Sequence, residues 1–145
     1  MDFFDSLHIS ASGLSAQRLR MNLISNNLAN VNTTRTAEGG PYKKKEAIFE
    51  ASKYPPKFQN ILSGEIESKL SEVKILGIVE SSSPPVLKYD PGHPDANKKG
   101  FVAMPNVNLV EEMVNMISAT RSYEANVAAV NAAKKMALKA LEIGK

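Results

Sequence analysis

The sequence predicts an α+β fold in which two long terminal helices pair as a coiled-coil-like arm and flank a small β-rich middle module. All eight prolines lie between Pro41 and Pro105, which leaves both ends of the chain able to form uninterrupted helices. Both ends also carry apolar residues at helical spacing. Aromatic residues make up only 6% of the chain, which favours helix packing over a deep pocket. We therefore predict an N-terminal helical arm at 1–33, a middle module with Pro- and Gly-rich loops at 34–105, and a C-terminal arm at 106–145 that packs with the first.

In the first arm, large apolar residues recur every seven positions. The series consists of Leu7, Leu14, Met21 and Leu28, with Phe4, Ala11, Ile24 and Val31 on adjoining positions. This spacing predicts a helix from about residue 5 to about residue 31 with a narrow apolar seam of the coiled-coil type. Gly13 is its predicted weak point, because glycine is a poor helix former.

Four asparagines crowd the end of this helix in the stretch SNNLANVNTT, namely Asn26, Asn27, Asn30 and Asn32. Asn30 and Asn32 suit a helix that stops there, since asparagine can cap or enter the left-handed region. Asn26 and Asn27 leave two interpretations open. They either form a solvated face that frays into a loop, or hydrogen-bond across a helix interface, where buried asparagine fixes register and partner number.

The middle module contains four runs with β-branched or aromatic residues and partial alternation, which predict strands. These runs are YKKKEAIFEA, SEVKILGIVE, PPVLKY and GFVAM. The span from Pro55 to Leu70 is ambiguous between strand and helix. The loop YDPGHPDANKKG, residues 89–100, has the composition of tight turns.

The second arm has a well-marked beginning. Pro105 ends what precedes it, Asn106 or Asn108 can cap, and Glu111 follows Asn108 in a capping-box arrangement. Gly144 is a plausible terminator. Spacings of three and four define a second seam through Leu109, Met113, Met116, Thr120, Tyr123, Val127, Val130, Lys134, Ala137 and Leu141, widened by Val110, Ile117 and Leu138.

Composition argues against an enzyme. The chain has no cysteine and two histidines, His8 and His93, with no nucleophile motif or phosphate-binding loop. We therefore expect no catalytic residue, no cofactor and no small-molecule substrate. Asp90, His93 and Asp95 could ligate a metal, but the prolines beside them predict a rigid turn, and we expect no metal site.

Two binding classes are weak alternatives. The net charge of +3 and the run Lys43–Lys45 suggest a basic nucleic-acid-binding module, but aromatic residues are not interleaved with the basic ones, so we expect no nucleic acid. Phe3 and Phe4 could anchor a membrane-surface helix, although its polar face has few basic residues. The beginning MDFFDSLHIS lacks the features of a secretory signal, and no run has the length of a membrane span.

Several stretches carry a family resemblance. SGLSAQRLRMNLISNNLANVNTTRT resembles the N-terminal signature of the axial proteins of the bacterial flagellum, and NVNLVEEMVNMISATRSYEANVAAVNAAKKMALKALEIGK is similar to their C-terminal arm. TAEGGPYKKK and YDPGHPDANKKGFVAMPNVN are more narrowly similar to the proximal rod proteins of this superfamily. The resemblance covers about residues 1–48 and 84–145. Another rod component of the same superfamily is the alternative.

The resemblance implies a structural subunit that assembles by helix packing into the axial drive shaft for motility, with the middle module as an outer layer. It implies partners among the other rod proteins, proximal and distal, the rod-to-inner-ring adaptor, the flagellar type III export apparatus and copies of the same chain. It also implies a location in the basal-body rod, which spans the periplasm, after export without a cleaved signal peptide.

Spacing and resemblance together predict a set of subunit-interface residues. The resemblance contributes Arg18, Asn26, Asn27 and Asn30 in particular, and implies a role in packing. The set is Leu7, Leu14, Arg18, Met21, Asn26, Asn27, Leu28, Asn30, Leu109, Met113, Met116, Ile117, Tyr123, Val127, Val130 and Leu141.

Overall fold

The computed structural model describes residues 3–53 and 71–143, so the ambiguous span at 55–70 and the predicted terminator Gly144 lie outside the described residues. In chain order the elements are α1 (Phe3–Ala29), β1 (Lys45–Lys53), β2 (Ser71–Glu80), β3 (Val86–Tyr89), β4 (Phe101–Met104) and α2 (Leu109–Ile143). The prediction of an α+β fold with two long helices around a β-rich middle is confirmed. Within the described ranges, no helix combines the length and the apolar character needed to cross a membrane.

The four strands lie where the sequence predicts them and form two small sheets. β1 pairs with β2, and β3 pairs with β4. The second pair is antiparallel and runs from Val86 opposite Met104 to Tyr89 opposite Phe101. Short strands with β-branched and aromatic residues between turn residues account for this arrangement.

The chain forms two compact units. The first contains Met1–Leu19, Ile48–Gly77 and Thr120–Lys145, and the second contains Arg20–Ala47 and Ile78–Ala119. Each helix contributes residues to both units. The division into two terminal arms and a middle module therefore describes the order of elements along the chain, and its boundaries stay a prediction.

In the first unit, α1 and α2 approach each other closely at Gly13. A Cβ atom added there would lie 3.0 Å from Nδ2 of Asn126. Nearby, Nη2 of Arg18 donates to the hydroxyl of Tyr123 at 3.5 Å. The later residue of α1 meets the earlier residue of α2, so these segments run antiparallel. The absence of a side chain at Gly13 makes room for Asn126, which explains a glycine inside the helix.

The fully buried side chains of α1 do not follow the predicted seam. They are Asp5, Ala16, Leu23, Ile24 and Asn27, whereas Leu7, Leu14, Met21 and Leu28 are only half-buried. Leu14 and Met21 each precede a buried residue by two positions, which is about 200° around the helix. The predicted seam is therefore not the main intrachain contact of α1, and its role at a subunit interface stays a prediction. Small Ala16 and polar Asn27 occupy that contact, and a search for large apolar residues does not detect them.

The fully buried residues of α2 are also small or polar, namely Glu112, Ala119 and Ala133. Of the predicted seam, Met116, Tyr123, Val127 and Val130 are half-buried, while Leu109, Met113, Ile117 and Leu141 are exposed. The predicted seam of α2 is thus partly buried in the middle of the helix and exposed at both ends.

Both predicted helix ends are capped by asparagine. Oδ1 of Asn108 accepts hydrogen bonds from the backbone N–H groups of Val110 at 3.1 Å and Glu111 at 3.4 Å, which identifies Asn108 as the N-cap of α2. Asn106, the other candidate, instead donates to the carbonyl of Pro84. At the end of α1, Nδ2 of Asn30 donates to the carbonyl of Asn26 at 2.9 Å. The prediction that Asn30 ends the helix is confirmed.

Candidate functional site

The buried end of α1 and the first turns of α2 meet in the second unit around a single amide. Asn27 is 1% exposed. Its Nδ2 donates to Oε2 of Glu112 at 2.9 Å and to the carbonyl of Lys45 at 3.0 Å. Its Oδ1 accepts from the hydroxyl of Tyr42 at 2.9 Å and from the N–H of Lys45 at 3.0 Å. Both donors and both acceptor positions of the amide are therefore used within the chain.

Glu112 connects this amide to a buried ion pair. It is 1% exposed, and its Oε1 lies 3.1 Å from Nζ of Lys44. Nζ of Lys44 also lies 2.9 Å from a carboxylate oxygen of Glu46 and 3.6 Å from one of Glu111. A buried carboxylate is tolerated because it is paired and hydrogen-bonded. We call Asn27, Tyr42, Lys44, Lys45 and Glu112 the polar hub.

Two groups of the hub have displaced pKa values. Burial acts to lower the pKa of Lys44, but its hydrogen bonds to Glu46 and Glu112 and the attraction of both carboxylates outweigh burial, so the pKa is raised above the ordinary 10.5. The pKa of Tyr42 is raised above its ordinary 10.0, chiefly because burial disfavours the phenolate. Both groups are therefore held in their protonated forms.

A tight loop brings the hub residues together. Gly39 and Gly40 have φ values of 89° and 79°, in the left-handed region that favours glycine. Their turn is closed by a hydrogen bond from the N–H of Thr36 to the carbonyl of Gly40 at 2.9 Å, and the N–H of Tyr42 returns to the carbonyl of Thr33 at 3.1 Å. The chain thereby reverses after α1 and places Tyr42 and the following lysines beside the helix they have just left.

Glu112 is favoured at its position for a second reason. It lies in the first turn of α2, where exposed backbone N–H groups make the helix end positive and stabilise a carboxylate. The side chain therefore serves both the helix terminus and the hub.

The same turns of α2 carry a row of exposed apolar side chains on another face. These side chains are between 48% and 68% exposed and follow helical spacing. We call this row the outer stripe; its members are Leu109, Val110, Met113, Val114 and Ile117. A contiguous apolar surface with a polar border is typical of a protein interaction site.

The predicted interface residues fall into three groups by exposure, and their role in an interface stays a prediction. Asn27 is buried. Leu7, Leu14, Met21, Leu28, Asn30, Met116, Tyr123, Val127 and Val130 are half-buried, and Arg18, Asn26, Leu109, Met113, Ile117 and Leu141 are exposed.

The two interpretations of the neighbouring asparagines each describe one residue. Asn26 is exposed on the solvated face, and Asn27 forms the buried network, although its partners belong to the same chain. Because the Asn27 amide is saturated within the chain, it holds the end of α1 in place.

Sequence reasoning missed Tyr42 and Lys44 as members of the hub. Within the lysine run 43–45, Lys44 turns inward, and its ammonium group lies beside the carboxylates of Glu46 and Glu112. Its neighbour Lys45 pairs with Glu80 at 3.3 Å. The sequence offered one signal, which is a glutamate in the first turn of α2 together with a lysine-rich run elsewhere in the chain that could pair with it.

The side chains of Asp95 and His93 in the loop at residues 89–100 are used in hydrogen bonds within the chain. Oγ1 of Thr34 donates to Oδ2 of Asp95 at 2.8 Å, and Nδ1 of His93 accepts from the N–H of Asp95 at 3.1 Å. Among the residues described, no three acidic, histidine or cysteine side chains group together as metal ligands would.

Comparison with known proteins first gives the class of the chain. The family model described as "Flagella basal body rod protein" matches residues 7–35, and the model described as "Flagellar basal body rod FlgEFG protein C-terminal" matches residues 98–143. The two matches cover the segments that contain most of α1 and all of α2. A chain with both segments is a protein of the flagellar basal-body rod class.

Full-length relatives narrow this assignment. "Flagellar basal-body rod protein FlgC" of Borreliella burgdorferi is 46% identical and aligns over 99% of this chain and 98% of its own length. Proteins of the same name from Bacillus subtilis and Escherichia coli are 46% and 40% identical, over 100% and 99% of this chain and 100% and 97% of their own lengths. The chain therefore belongs to the FlgC family of flagellar basal-body rod proteins, and the resemblance seen in the sequence is confirmed.

Proposed function

We propose that this chain is a structural, non-enzymatic subunit of the proximal flagellar rod that assembles into the axial drive shaft by packing its helices against neighbouring subunits. The observation that carries the proposal is the exposed apolar surface of α2. The exposed apolar residues of α2 are those of the outer stripe and, further along the helix, Met136, Leu138 and Leu141. Each of these last three is more than half exposed. Apolar surface of this kind is stabilised when a partner covers it.

The first helix supports the same proposal. Its heptad residues Leu7, Leu14, Met21 and Leu28 are only half-buried, so part of each side chain is accessible. Both helices therefore present apolar surface that intrachain packing leaves uncovered. Neighbouring helices of an assembly are the natural partners for such rows.

Partners and location follow from the family resemblance and are part of the proposal. The partners are the other rod proteins, the rod-to-inner-ring adaptor and further copies of the chain. The subunit reaches a rod that spans the periplasm through the flagellar type III export apparatus, without a cleaved signal peptide. The terminal arms at 1–33 and 106–145 form the inner, helical part, and 34–105 forms an outer layer.

The proposal is tested by replacing one exposed apolar residue. In a strain that lacks the gene, Ile117→Asp is expected to give a folded protein by circular dichroism that is absent from purified basal bodies, and cells that do not swim. Asn131→Asp is the matched control, since Asn131 is an exposed polar residue of the same helix. It is expected to restore motility.

Two results contradict the proposal. Wild-type-like incorporation of Ile117→Asp would show that the outer stripe is not an assembly surface. Swimming cells in the deletion strain, with complete basal bodies, would show that the chain is not a required rod subunit.

A further inference from the structure

A second exposed apolar surface lies on the β3–β4 hairpin of the same unit. Tyr89 and Phe101 are directly opposed across the strands, and their rings meet edge to face with centroids 5.3 Å apart. Leu87, two residues before Tyr89, shares their face because side chains alternate along a strand. Leu87 and Tyr89 are 62% and 65% exposed, and Phe101 is 37% exposed. We call Leu87, Tyr89 and Phe101 the hairpin patch.

The hairpin is anchored through its opposite face. Val102 alternates with the patch residues and is 1% exposed, so this side chain anchors the hairpin in the unit. The patch residues therefore point outward because the strand register requires it.

The hairpin patch is also rigidly built. Gly100 has a φ of 79°, and a Cβ atom at this position would lie 2.9 Å from Cε2 of Tyr89. The Tyr89 ring thus lies over a backbone position that only glycine suits. Oδ1 of Asn97 accepts from the N–H groups of Lys99 and Phe101 at 2.9 and 3.0 Å, and the N–H of Asp90 donates to the carbonyl of Gly100 at 2.9 Å. A surface fixed in this way loses little conformational entropy on binding.

Charge separates the hairpin patch from the outer stripe. Lys98 and Lys99 are exposed immediately before β4, next to the patch. Glu111 borders the outer stripe, and its side chain is 58% exposed. Asp90 follows Tyr89, but Lys88, Lys98 and Lys99 leave the border of the patch net basic, whereas the stripe is acidic at its start and carries exposed Arg121 one turn after Ile117. The basic border of the patch is therefore complementary to the acidic start of the stripe, which favours contact of one with the other.

We propose that the hairpin patch of one copy of this chain docks on the outer stripe of the next copy. The inference rests on the proposed function and names the element that covers the start of α2. Because the two surfaces are different, the contact is heterologous: each copy uses its patch on one neighbour and its stripe on another. Contacts of this kind generate rings when the rotation closes and open helical arrays when it does not, whereas a contact of like surfaces closes after two copies.

The chain has no cysteine, so pairs of introduced cysteines can test this contact directly. The variant with both Leu87→Cys and Val114→Cys, in purified basal bodies treated with a short bis-maleimide, is expected to give a ladder of cross-linked copies on a denaturing gel. Glu38→Cys with Val114→Cys is the control, since Glu38 is exposed in the loop after α1 and lies outside both surfaces. It is expected to give no ladder.

A pair of charge substitutions on adjacent residues gives a second readout. Tyr89→Asp is expected to reduce the amount of the subunit in basal bodies by about tenfold or more, the change that a loss of about 1.4 kcal/mol produces. Lys88→Asp, on the neighbouring exposed residue of the other face, is expected to incorporate normally.

The results separate this inference from the proposed function. No ladder from the Leu87→Cys and Val114→Cys variant overturns the docking proposal, as does dimer formation by Leu87→Cys alone or normal incorporation of Tyr89→Asp. In each of these cases the wild-type chain is still found in basal bodies, so the rod assignment stands. Absence of the wild-type chain from basal bodies would instead overturn the rod assignment.

Discussion

The first turns of α2 contribute to both the polar hub and the outer stripe, and these two regions differ in burial and in polarity. The hub side carries Glu112, which is 1% exposed, paired with Lys44 and bonded to Asn27. The stripe side carries Val110 and Val114, which are 68% and 61% exposed. The charged residue is inside and the apolar residues are outside, the reverse of a typical surface helix.

The difference shows how one helix can serve two kinds of contact. Hydrogen bonds depend on direction, so a buried polar cluster fixes one arrangement of α1, the loop and α2. Apolar contact has no direction and binds wherever a complementary surface is offered. In this chain the directional contacts define the subunit, and we propose that the apolar contacts join subunits.

Removing the cation of the polar hub is expected to lower the free energy of unfolding more than any change on the stripe side. Lys44→Met leaves the buried Glu112 carboxylate without its ion pair, and we expect the free energy of unfolding to fall by about 3 kcal/mol. Urea denaturation followed by circular dichroism measures it. Glu111→Gln is the control, because its carboxylate is 58% exposed and lies 3.6 Å from Lys44. A fall of less than about 0.5 kcal/mol is expected there. Equal effects of the two variants would contradict the special role of Glu112.

Removing the central amide is expected to have the next largest effect. Asn27→Ala leaves Tyr42, Glu112 and both backbone groups of Lys45 short of a partner, and we expect a loss of about 2 kcal/mol of unfolding free energy. Asn26→Ala changes the adjacent exposed side chain and is expected to stay within about 0.5 kcal/mol of the wild type. If both variants were equally stable, the hub would contribute nothing beyond helix propensity.

Alkaline pH should weaken the hub by a smaller amount. The folded chain holds the protons of Lys44 and Tyr42 more tightly than the unfolded chain, because both pKa values are raised. Their contribution to stability is therefore fully present below their ordinary values of 10.5 and 10.0 and is lost as the pH rises through the raised values. Urea denaturation between about pH 8 and about pH 11 should show the stability difference between wild type and Lys44→Met becoming smaller. A difference that grows with pH would contradict the sign of the Lys44 shift.

The smallest effect on stability is expected on the stripe side. Val114→Asn changes an exposed side chain, so the free energy of unfolding should stay within about 0.5 kcal/mol of the wild type. Incorporation into basal bodies should nevertheless decrease, since a polar group replaces part of the assembly surface. Loss of stability comparable to that of Asn27→Ala would mean that the stripe is part of the intrachain core.

The fold was predictable because its signals are local. The proline distribution, the turn residues and the strand composition each act over a few positions, and all four strands lie where these signals place them. The cap at Asn108 was one of two candidates, and the choice depends on Asn106 having the carbonyl of Pro84 as a partner, 22 residues away. The spacing of residues around the helix start does not predict this distant partner.

The contact lines of the helices were less predictable. A heptad pattern identifies large apolar residues, and in α1 these residues do form a row. The buried line instead uses Ala16, which allows close packing, and Asn27, whose partners come from distant parts of the chain. The pattern detected a half-buried apolar row, whose role at a subunit interface stays a prediction. Resemblance to a known family gave the class of protein, which physical reasoning from spacing alone does not provide.

The sequence distance within the hub determines when it can form. Asn27 and Glu112 are 85 residues apart, whereas Asn27 and Lys45 are 18 residues apart. During folding the local bonds can close early, but the long loop to Glu112 must be ordered before the last one is made, and contacts of high sequence separation form slowly. Completion of the polar hub therefore waits for the final third of the polypeptide, and a chain interrupted before α2 lacks the carboxylate partner of the Asn27 amide.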